Sequence, residues 1–254
     1  MSMRNLGAWA VDAVQRWLWR RGLHAARSAP NRFAAIPVVL AHLQSRGYRP
    51  RVVIDGGANV GRWTSMAHAL FPDASFHMIE PQASCLPILE AIGRRLPRVA
   101  IVNAALSSPG VESVRMTHIA ADSRSEGAFV TDDPAIATTA VPAITLDALC
   151  ADVCTPADRV FLKLDLEGQE LNALRGAERL LPSVEVILCE VHFFDTFHSG
   201  VPVFGQVAEF LWDHGFEVYD VAALMPRSRD GRLYLGDVVF VRRESPLLED
   251  VAWQ

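Results

Sequence analysis

The sequence has no excess of positive charge and no long apolar run. Lysine and arginine together number 24 against 29 acidic residues, and the formal net charge of −5 gives no electrostatic support to general nucleic-acid binding. No apolar run approaches the ~20 residues that a membrane-spanning helix requires. The N-terminus also lacks an apolar secretion-type segment followed by a small-residue cleavage site. These absences predict a cytoplasmic protein that does not bind nucleic acid.

Cysteine is scarce, and the four present, Cys85, Cys150, Cys154 and Cys189, do not have the spacing of a disulfide framework. Cys85 and Cys189 fall in apolar periodic segments, which favours buried free thiols. Cys150 and Cys154 could form half of a zinc site, but no second ligand pair follows at a finger-like distance. We therefore interpret all four as structural thiols.

The first fifty residues differ in charge from the remainder, since eight arginines face Asp12 alone. Apolar residues recur at helical spacing over 5–28, and a second helix is predicted over about 32–46, ending at Gly47. The pattern is typical of a helical cap, here residues 1–50, that packs on a larger domain. The alternative is a basic amphipathic helix that touches a membrane surface or a partner.

From residue 51 onward, short apolar strands alternate with helical segments, which predicts a doubly wound α/β domain over 51–254. Strands are predicted at 51–55, 74–80, 99–103, 159–165, 184–191, 216–221 and 237–242, with two more at 111–119 and 137–144 in an insertion. Helices are predicted at 60–70, 82–96, 168–181 and 203–214. The sheet should be mostly parallel. The last two strands have no helix between them, so the last strand should run antiparallel.

A glycine-rich turn follows the first strand and opens a helix, with the sequence VIDGGANVG over 53–61. Glycine lets a backbone turn tightly and approach a ligand, and free amides at a helix start favour an anionic group. Glu80 ends the second strand, where its carboxylate can accept hydrogen bonds from both hydroxyls of a ribose. An ordinary βα turn is the alternative to this nucleoside site. Asp55 and Glu80, each at a strand end, favour the functional interpretation.

A dinucleotide fingerprint is absent, because Ala58 interrupts the G-x-G-x-x-G pattern. No Tyr-x-x-x-Lys pair of the short-chain oxidoreductase type is present either. An NAD(P)-dependent oxidoreductase is therefore an alternative with little support, and a non-catalytic cofactor-binding scaffold is a second one. The spacing Asp55-x-Gly57-x-x-x-Gly61 suits a ligand without a pyrophosphate.

Four motifs occur in a recognisable order: DGGANVG at 55–61, Glu80-Pro81, NAALS at 103–107 and KLDLEG at 163–168. On these motifs the chain resembles the FkbM-type family of S-adenosylmethionine-dependent methyltransferases over roughly 51–242. The resemblance implies a seven-stranded Rossmann-like methyltransferase sheet and S-adenosyl-L-methionine as the cofactor. It implies cofactor contacts by residues at the ends of the first four strands: Asp55, Gly56, Gly57, Asn59 and Gly61 at the methionine end, Glu80 and Pro81 at the ribose, Asn103 and Ala104 at the adenine, and Asp165. Similar enzymes often place polar residues near the adenine where Asp122 and Ser123 stand here.

The predicted chemical centre lies at the ends of the two strands that follow the insertion. Side chains alternate along a strand, so Lys163, Asp165 and Glu167 should share one face as far as the strand continues. On the next strand Glu190 and His192 share a face in the same way. Buried charges are costly unless they are paired or used, so a structural ion pair is the alternative to catalysis. We predict Asp165, Lys163, His192 and Glu167 as the catalytic set.

Within this set, Asp165 or His192 could accept a proton from an acceptor hydroxyl, and Lys163 could steady the oxyanion or orient Asp165. A divalent metal is the rival way to acidify the hydroxyl, since Asp165, Glu167, Glu190, His192 and Asp195 include donors suited to magnesium. The resemblance does not require a metal, and we predict none.

The aromatic-rich segment 192–198 could line an acceptor pocket or cover the sheet edge as a core plug. The resemblance suggests a hydroxyl of a sugar, polyketide or other small metabolite as the acceptor. The sequence leaves the oligomeric state open.

Overall fold

The computed structural model describes residues 36–117, 128–131, 133, 135–151, 154–195 and 200–249. The predicted helix over 5–28, the Asp122-Ser123 pair and part of the 192–198 segment lie outside these residues. Among the described residues, every helix is too short or too polar to cross a bilayer. None of the four cysteines forms a disulfide, and all four are buried.

Five α-helices and ten strands make up the described chain. The helices are α1 (Ile36–Ser45), α2 (Arg62–Leu70), α3 (Leu86–Gly93), α4 (Glu170–Arg175) and α5 (Phe204–Asp213). The strands are β1 (Val52–Gly56), β2 (Ser75–Ile79), β3 (Val99–Val102), β4 (Ala105–Leu106), β5 (Ser113–Thr117), β6 (Ala137–Ile144), β7 (Val160–Leu164), β8 (Val184–His192), β9 (Phe216–Pro226) and β10 (Leu233–Arg242). Short 3-10 turns at Ala83–Cys85, Pro156–Asp158, Leu181–Ser183 and Pro246–Leu248, and a π-helical turn at Asp147–Ala151, complete the described elements.

Seven strands form the central sheet in the order β3-β2-β1-β7-β8-β10-β9. β1 pairs in parallel with β2 and β7, and β7 pairs in parallel with β8. β10 is antiparallel to both of its neighbours, β8 and β9. The predicted doubly wound sheet with an antiparallel last strand is confirmed. The strand order reverses between β1 and β7, and ligands in such sheets bind at the carboxyl ends of the strands beside this switch point.

The insertion forms a separate three-stranded sheet in the order β4-β6-β5. β4 was not predicted, because two residues are too few to give a periodic pattern. Ala105, Met116, Ala128 and Val141 form the small apolar core of this sheet. The insertion sheet is therefore a separate layer with its own small core.

Two predicted helices are shorter than expected. The segment 82–96 begins as the 3-10 turn Ala83–Cys85 and becomes α-helical only at Leu86. The segment 168–181 yields α4 alone, because Glu167 and Gly168 have positive φ angles of 53° and 94° and delay its start. β9 and β10 are longer than predicted, since the polar segment between them continues as a hairpin rather than a loop.

The described part of the predicted cap, α1, packs on one face of the central sheet. Leu40, Leu43 and Tyr48 are fully buried in the same apolar cluster as Phe76 and Phe161. α1 ends at Ser45, just before Gly47 with φ of 86°, where a helix C-terminus favours glycine. The opposite face of the sheet is covered by α4 and α5 through a second cluster that contains Leu174 and Leu211.

An ion pair at the amino end of β7 and β8 fixes the segment after α1. Arg159 donates to both carboxylate oxygens of Glu185 at 2.5 and 2.8 Å, and the Ser245 hydroxyl donates to the same carboxylate at 2.6 Å. The Tyr48 hydroxyl donates to the Arg159 carbonyl at 3.0 Å. Burial raises the pKa of Glu185, but the hydrogen bonds from Arg159 and Ser245 outweigh it and bring the pKa below its ordinary value.

The pair predicts a specific pH dependence of stability. A carboxyl whose pKa is depressed on folding stabilises the protein above its unfolded pKa, and the contribution is lost as the pH falls through the folded pKa. Glu185→Gln should lower the free energy of unfolding by about 1.5–3 kcal/mol at pH 7, and the difference from wild type should shrink below about pH 4. Urea unfolding at both pH values measures this.

The matched control is Glu90→Gln, which removes an exposed carboxylate 4.0 Å from Arg94 and should change stability by less than about 0.5 kcal/mol. Equal effects of the two substitutions at pH 7 would contradict the assigned role of Glu185.

Candidate active site

The turn after β1 approaches the segment after β7 so closely that only glycine fits. Gly57 has φ of 74°, and a Cβ on it would lie 1.9 Å from the Asp165 carbonyl oxygen. Asn59 also has a positive φ, of 47°. Gly61 begins α2 with φ of 70° and no side-chain cap, and a Cβ there would lie 2.5 Å from Ile92. The first amides of α2 are thus uncapped by a side chain at the mouth of the sheet.

A buried ammonium ties the two strand ends together. Lys163, the only lysine in the chain, lies directly across from Asp55 in the β1–β7 pairing. Its Nζ lies 3.0 Å from the Asp55 carboxylate and donates to the carbonyls of Gly56 and Gly57 at 3.1 and 2.8 Å. Asp165 lies at 3.5 Å from the same Nζ. Burial lowers the pKa of Lys163, but the two carboxylates outweigh it and hold the pKa above its ordinary value.

Asp55 is fully buried at the centre of this arrangement. Besides the contact with Lys163, its carboxylate accepts a hydrogen bond from the Thr64 hydroxyl of α2 at 2.5 Å. Asp55 therefore links β1, β7 and the first turn of α2. The donors of Lys163 already have acceptors, so the geometry favours an orienting role for Lys163 over direct contact with an acceptor oxyanion.

Glu80 holds the turn after β2 against the glycine-rich turn. Its two carboxylate oxygens accept the Asn59 and Gln82 amides at 2.7 and 2.8 Å. Burial raises the pKa of Glu80, and these two amide hydrogen bonds oppose the shift. Asn103 donates from its side chain to the carbonyls of Glu80 and Pro81 at 2.8 and 3.0 Å. The Glu80 carboxylate is thus fixed in place and faces the cavity described below.

The loop after β7 is organised by a buried carboxylate on α4. Glu170 accepts the Leu166 and Gly168 amides at 2.7 and 3.3 Å and is 3% exposed. Burial raises its pKa to about 7. This contact shapes the segment that carries Asp165 and Glu167. Because β7 ends at Leu164, the strand alternation predicted for these side chains does not continue, although both still face the cavity.

The end of β8 contributes Glu190 and His192, which lie on one face of the strand as predicted because β8 continues to residue 192. One carboxylate oxygen of Glu190 and both ring nitrogens of His192 are buried and have no hydrogen-bond partner among the described residues. Burial, followed by the charges of Asp165 and Glu167, raises the pKa of Glu190 to about 9. Burial lowers the pKa of His192, so its imidazole is neutral at neutral pH.

These strand ends surround a cavity of about 570 Å³. Its polar wall contains the side chains from the ends of the central strands, and its apolar wall comes from the insertion sheet and the β9–β10 hairpin. The predicted site residues that line it are Gly57, Asn59, Glu80, Pro81, Ala104, Lys163, Asp165, Glu167 and His192. The carboxylate oxygens of Asp165, Glu167 and Glu190 lie within 4.8 Å of one another at its floor.

Four predicted site residues are not among the residues that line the cavity: Asp55, Gly56, Gly61 and Asn103. Asp55 and Asn103 act through hydrogen bonds to residues that do line it, as described above. A Cβ on Gly56 would lie 2.9 Å from Leu106, so this glycine allows close packing. Their direct contact with a cofactor stays a prediction.

Other lining residues were not predicted from the sequence. The apolar wall comprises Met116, Ala128, Val130, Met225, Tyr234 and Leu235 among its members, and Arg62 and Trp63 enter from the first turn of α2. Their spacing in the sequence does not identify them as cavity residues, because the segments that carry them are distant in sequence and come together only in the fold. Gln82, two residues after Glu80, also lines the cavity.

The aromatic segment after β8 packs away from the cavity where it is described. Phe193 lies beside Phe204 with ring centroids 5.9 Å apart, and the Arg232 guanidinium lies 3.9 Å from the Phe194 ring centroid. Neither phenylalanine is among the described lining residues. The geometry favours the plug of the sheet edge over an acceptor-lining role for these two rings. Residues 196–199 lie outside the described chain.

The fold is that of a doubly wound α/β protein, with a cavity at the strand switch point. The family model of the FkbM methyltransferase domain matches residues 55–218. The chain belongs to the FkbM methyltransferase family, and S-adenosyl-L-methionine is its cofactor. No curated protein matches the chain.

The chain is similar to several solved structures at low sequence identity. A methyltransferase FkbM from Methylobacillus flagellatus is 15% identical with a TM-score of 0.47, and the match covers 76% of this chain and 43% of that chain. A precorrin-6y C5,15-methyltransferase from Geobacter metallireducens is 18% identical with a TM-score of 0.44, over 84% and 95% of the two chains. Magnesium protoporphyrin IX methyltransferase from Synechocystis, with bound S-adenosylmethionine, is 12% identical with a TM-score of 0.45, over 81% and 76%. This chain thus spans less than half of the Methylobacillus protein, and none of these likenesses identifies a substrate.

The Lys163 contacts predict non-additive substitutions. Lys163→Met leaves the Asp55 carboxylate buried and unpaired, so it should lower the free energy of unfolding by about 3–5 kcal/mol. Adding Asp55→Asn removes that charge and should restore part of the loss, giving a coupling energy of about 1–3 kcal/mol in a double-mutant cycle followed by urea unfolding. Simple additivity of the two substitutions would contradict a direct ion pair.

Proposed function

We propose that the protein is an S-adenosylmethionine-dependent O-methyltransferase that acts on a hydroxyl of a sugar, polyketide or other small metabolite. One observation carries the proposal. The cavity joins the Gly57–Glu80 turns, which suit a nucleoside, to a second group of side chains that can accept a proton. Such a cavity is large enough for a cofactor and a small acceptor side by side.

The residues present fit the cofactor on chemical grounds. Gly57 and Asn59 form a turn with no bulky side chain at its closest approach, and the fixed Glu80 carboxylate suits a ribose diol. The acidic side chains around the cavity suit a positively charged sulfur. When bound, S-adenosylmethionine supplies a methyl group on this sulfur, which leaves as a neutral thioether on displacement by an acceptor.

The protein's own contribution is to align the acceptor and to take its proton. Alignment alone lowers such barriers by about 7–11 kcal/mol, and a positioned base adds a factor of roughly 10² to 10⁴. Asp165 is held beside Lys163 and faces the cavity, with a side chain that is 43% exposed. Burial lowers the pKa of His192, and neither of its ring nitrogens has a hydrogen-bond partner in the part of the chain that the structure describes. Either residue can accept the hydroxyl proton.

A hydroxyl acceptor is inferred from these two bases, because a hydroxyl must lose a proton as the methyl group arrives. The apolar wall around Met116, Val130 and Leu235 adds contact area for a metabolite with an apolar framework. A cytoplasmic location, no nucleic-acid partner and a peripheral membrane contact through the basic N-terminal segment stay predictions.

Cofactor binding is tested by calorimetry with S-adenosylhomocysteine. We expect saturable binding to the wild-type chain and no heat with NAD. Glu80→Gln should weaken binding at least tenfold, because the variant loses a charged acceptor for the ribose hydroxyls. The exposed Glu112→Gln is the control and should bind like wild type. Absence of heat with either S-adenosylmethionine or its demethylated product at millimolar levels would refute the assignment.

Catalysis is tested by transfer of a tritium-labelled methyl group to a panel of hydroxylated sugars and polyketides. Two substitutions are compared, Asp165→Asn and His192→Gln. The one that removes the base should lower kcat by roughly 10²- to 10⁴-fold. It should also remove the acidic limb of the pH–rate profile. Binding of S-adenosylhomocysteine to each variant controls for folding. Full turnover by both variants would remove these two residues from the mechanism.

A further inference from the structure

Three carboxylates from two neighbouring strand ends converge at the floor of the cavity. Asp165 and Glu167 come from the segment after β7, and Glu190 comes from β8. One oxygen from each lies within 4.8 Å of the other two. Two oxygens on opposite sides of a divalent cation are about 4–5 Å apart at the ordinary Mg²⁺ or Ca²⁺ ligand distances, so a single ion can contact all three.

Lys163 contacts only one member of this group. Lys163 is directed toward Asp55 and the carbonyls of Gly56 and Gly57, and of the three carboxylates it touches Asp165 alone, at 3.5 Å among the described contacts. Asp237, paired with Glu190 across β8 and β10, adds a further acidic residue to the same region. Carboxylates brought together in a half-buried site repel one another, and a bound cation relieves that repulsion.

A second and independent feature lies beside the group. His192 is 3% exposed, lines the same cavity on the same face of β8 as Glu190, and has neither ring nitrogen hydrogen-bonded within the described chain. A buried imidazole without a partner is unusual, because buried polar groups are nearly always hydrogen-bonded. A metal ion nearby, or a water molecule coordinated to it, would supply such a partner.

We propose that Asp165, Glu167 and Glu190 hold one divalent metal cation, Mg²⁺ or Mn²⁺, at the acceptor end of the cavity. The oxygen donors match these ions, and a His192 ring nitrogen lies beside the ion, where it can contact a hydroxyl or water molecule bound to it. This inference rests on the proposed function. It replaces the sequence-based expectation of no metal, and it gives Asp165 and Glu190 a shared role.

The ion changes how the acceptor hydroxyl loses its proton. A hydroxyl oxygen on a divalent cation is more acidic, as metal-bound water is. The oxygen–hydrogen bond then breaks with its proton passing to a His192 ring nitrogen, and the freed oxygen electron pair forms the bond to the methyl carbon. The electron pair of the sulfur–methyl bond stays on sulfur, so charge and atoms balance.

The test is binding of Mn²⁺ alone to the whole 254-residue chain, measured by electron paramagnetic resonance of the free ion. We expect one saturable site in the wild type. Glu190→Gln and Asp165→Asn should each weaken Mn²⁺ binding at least tenfold. Glu167→Gln is a third variant of the same group of carboxylates. The matched control is Asp237→Asn, which removes a neighbouring carboxylate outside the group of three and should change the affinity less than threefold.

Any one of three results would overturn the proposal. The first is no saturable Mn²⁺ binding up to roughly 5 mM. The second is unchanged Mn²⁺ affinity in the Glu190 and Asp165 variants, and the third is an equal loss of Mn²⁺ affinity in Asp237→Asn. Binding of S-adenosylhomocysteine in the presence of a chelator is measured on the same samples. If it persists while Mn²⁺ does not bind, the metal site fails and the cofactor assignment stands. If neither binds, the proposed function fails as well.

Discussion

The site depends on one buried ion pair between adjacent strands. Lys163 and Asp55 lie opposite each other at the switch point of the sheet, and the Lys163 ammonium also binds the carbonyls of the two glycines that follow Asp55. Both side chains are nearly or wholly removed from water, where an unpaired charge costs several kcal/mol. The glycine-rich turn is therefore held by hydrogen bonds from Lys163 on β7, and not by its own local geometry alone.

A compact ammonium suits this position better than a guanidinium, because its three donors can point at three separate acceptors. The chain uses arginine at its other basic positions, which makes the one lysine notable. Arg159 illustrates the contrast, since it meets Glu185 with two parallel donors at the opposite end of β7. The two ends of one strand thus use the two cations for different geometries, one to hold a turn and one to clamp a carboxylate.

Much of the fold could be predicted because apolar periodicity marks each strand of the central sheet. Residues that line the cavity could be predicted where they stand at a strand end, as for Gly57, Glu80, Asp165 and His192. Alternation failed past Leu164, because Glu167 has a positive φ that no periodic pattern reveals. The apolar wall could not be predicted, since Met116 and Leu235 reach the cavity only through tertiary packing. The close approach of Gly57 to the Asp165 carbonyl is likewise a property of two segments that are distant in sequence.

The most direct test of the account is the ionisation of Lys163 itself. Isotope-labelled lysine gives a single side-chain signal in nuclear magnetic resonance, because the chain has one lysine. We predict that this ammonium stays protonated above the ordinary lysine pKa of about 10.4, exchanges slowly with water, and shifts when S-adenosylhomocysteine is added. A signal that titrates at or below that value and does not respond to the ligand would contradict the account.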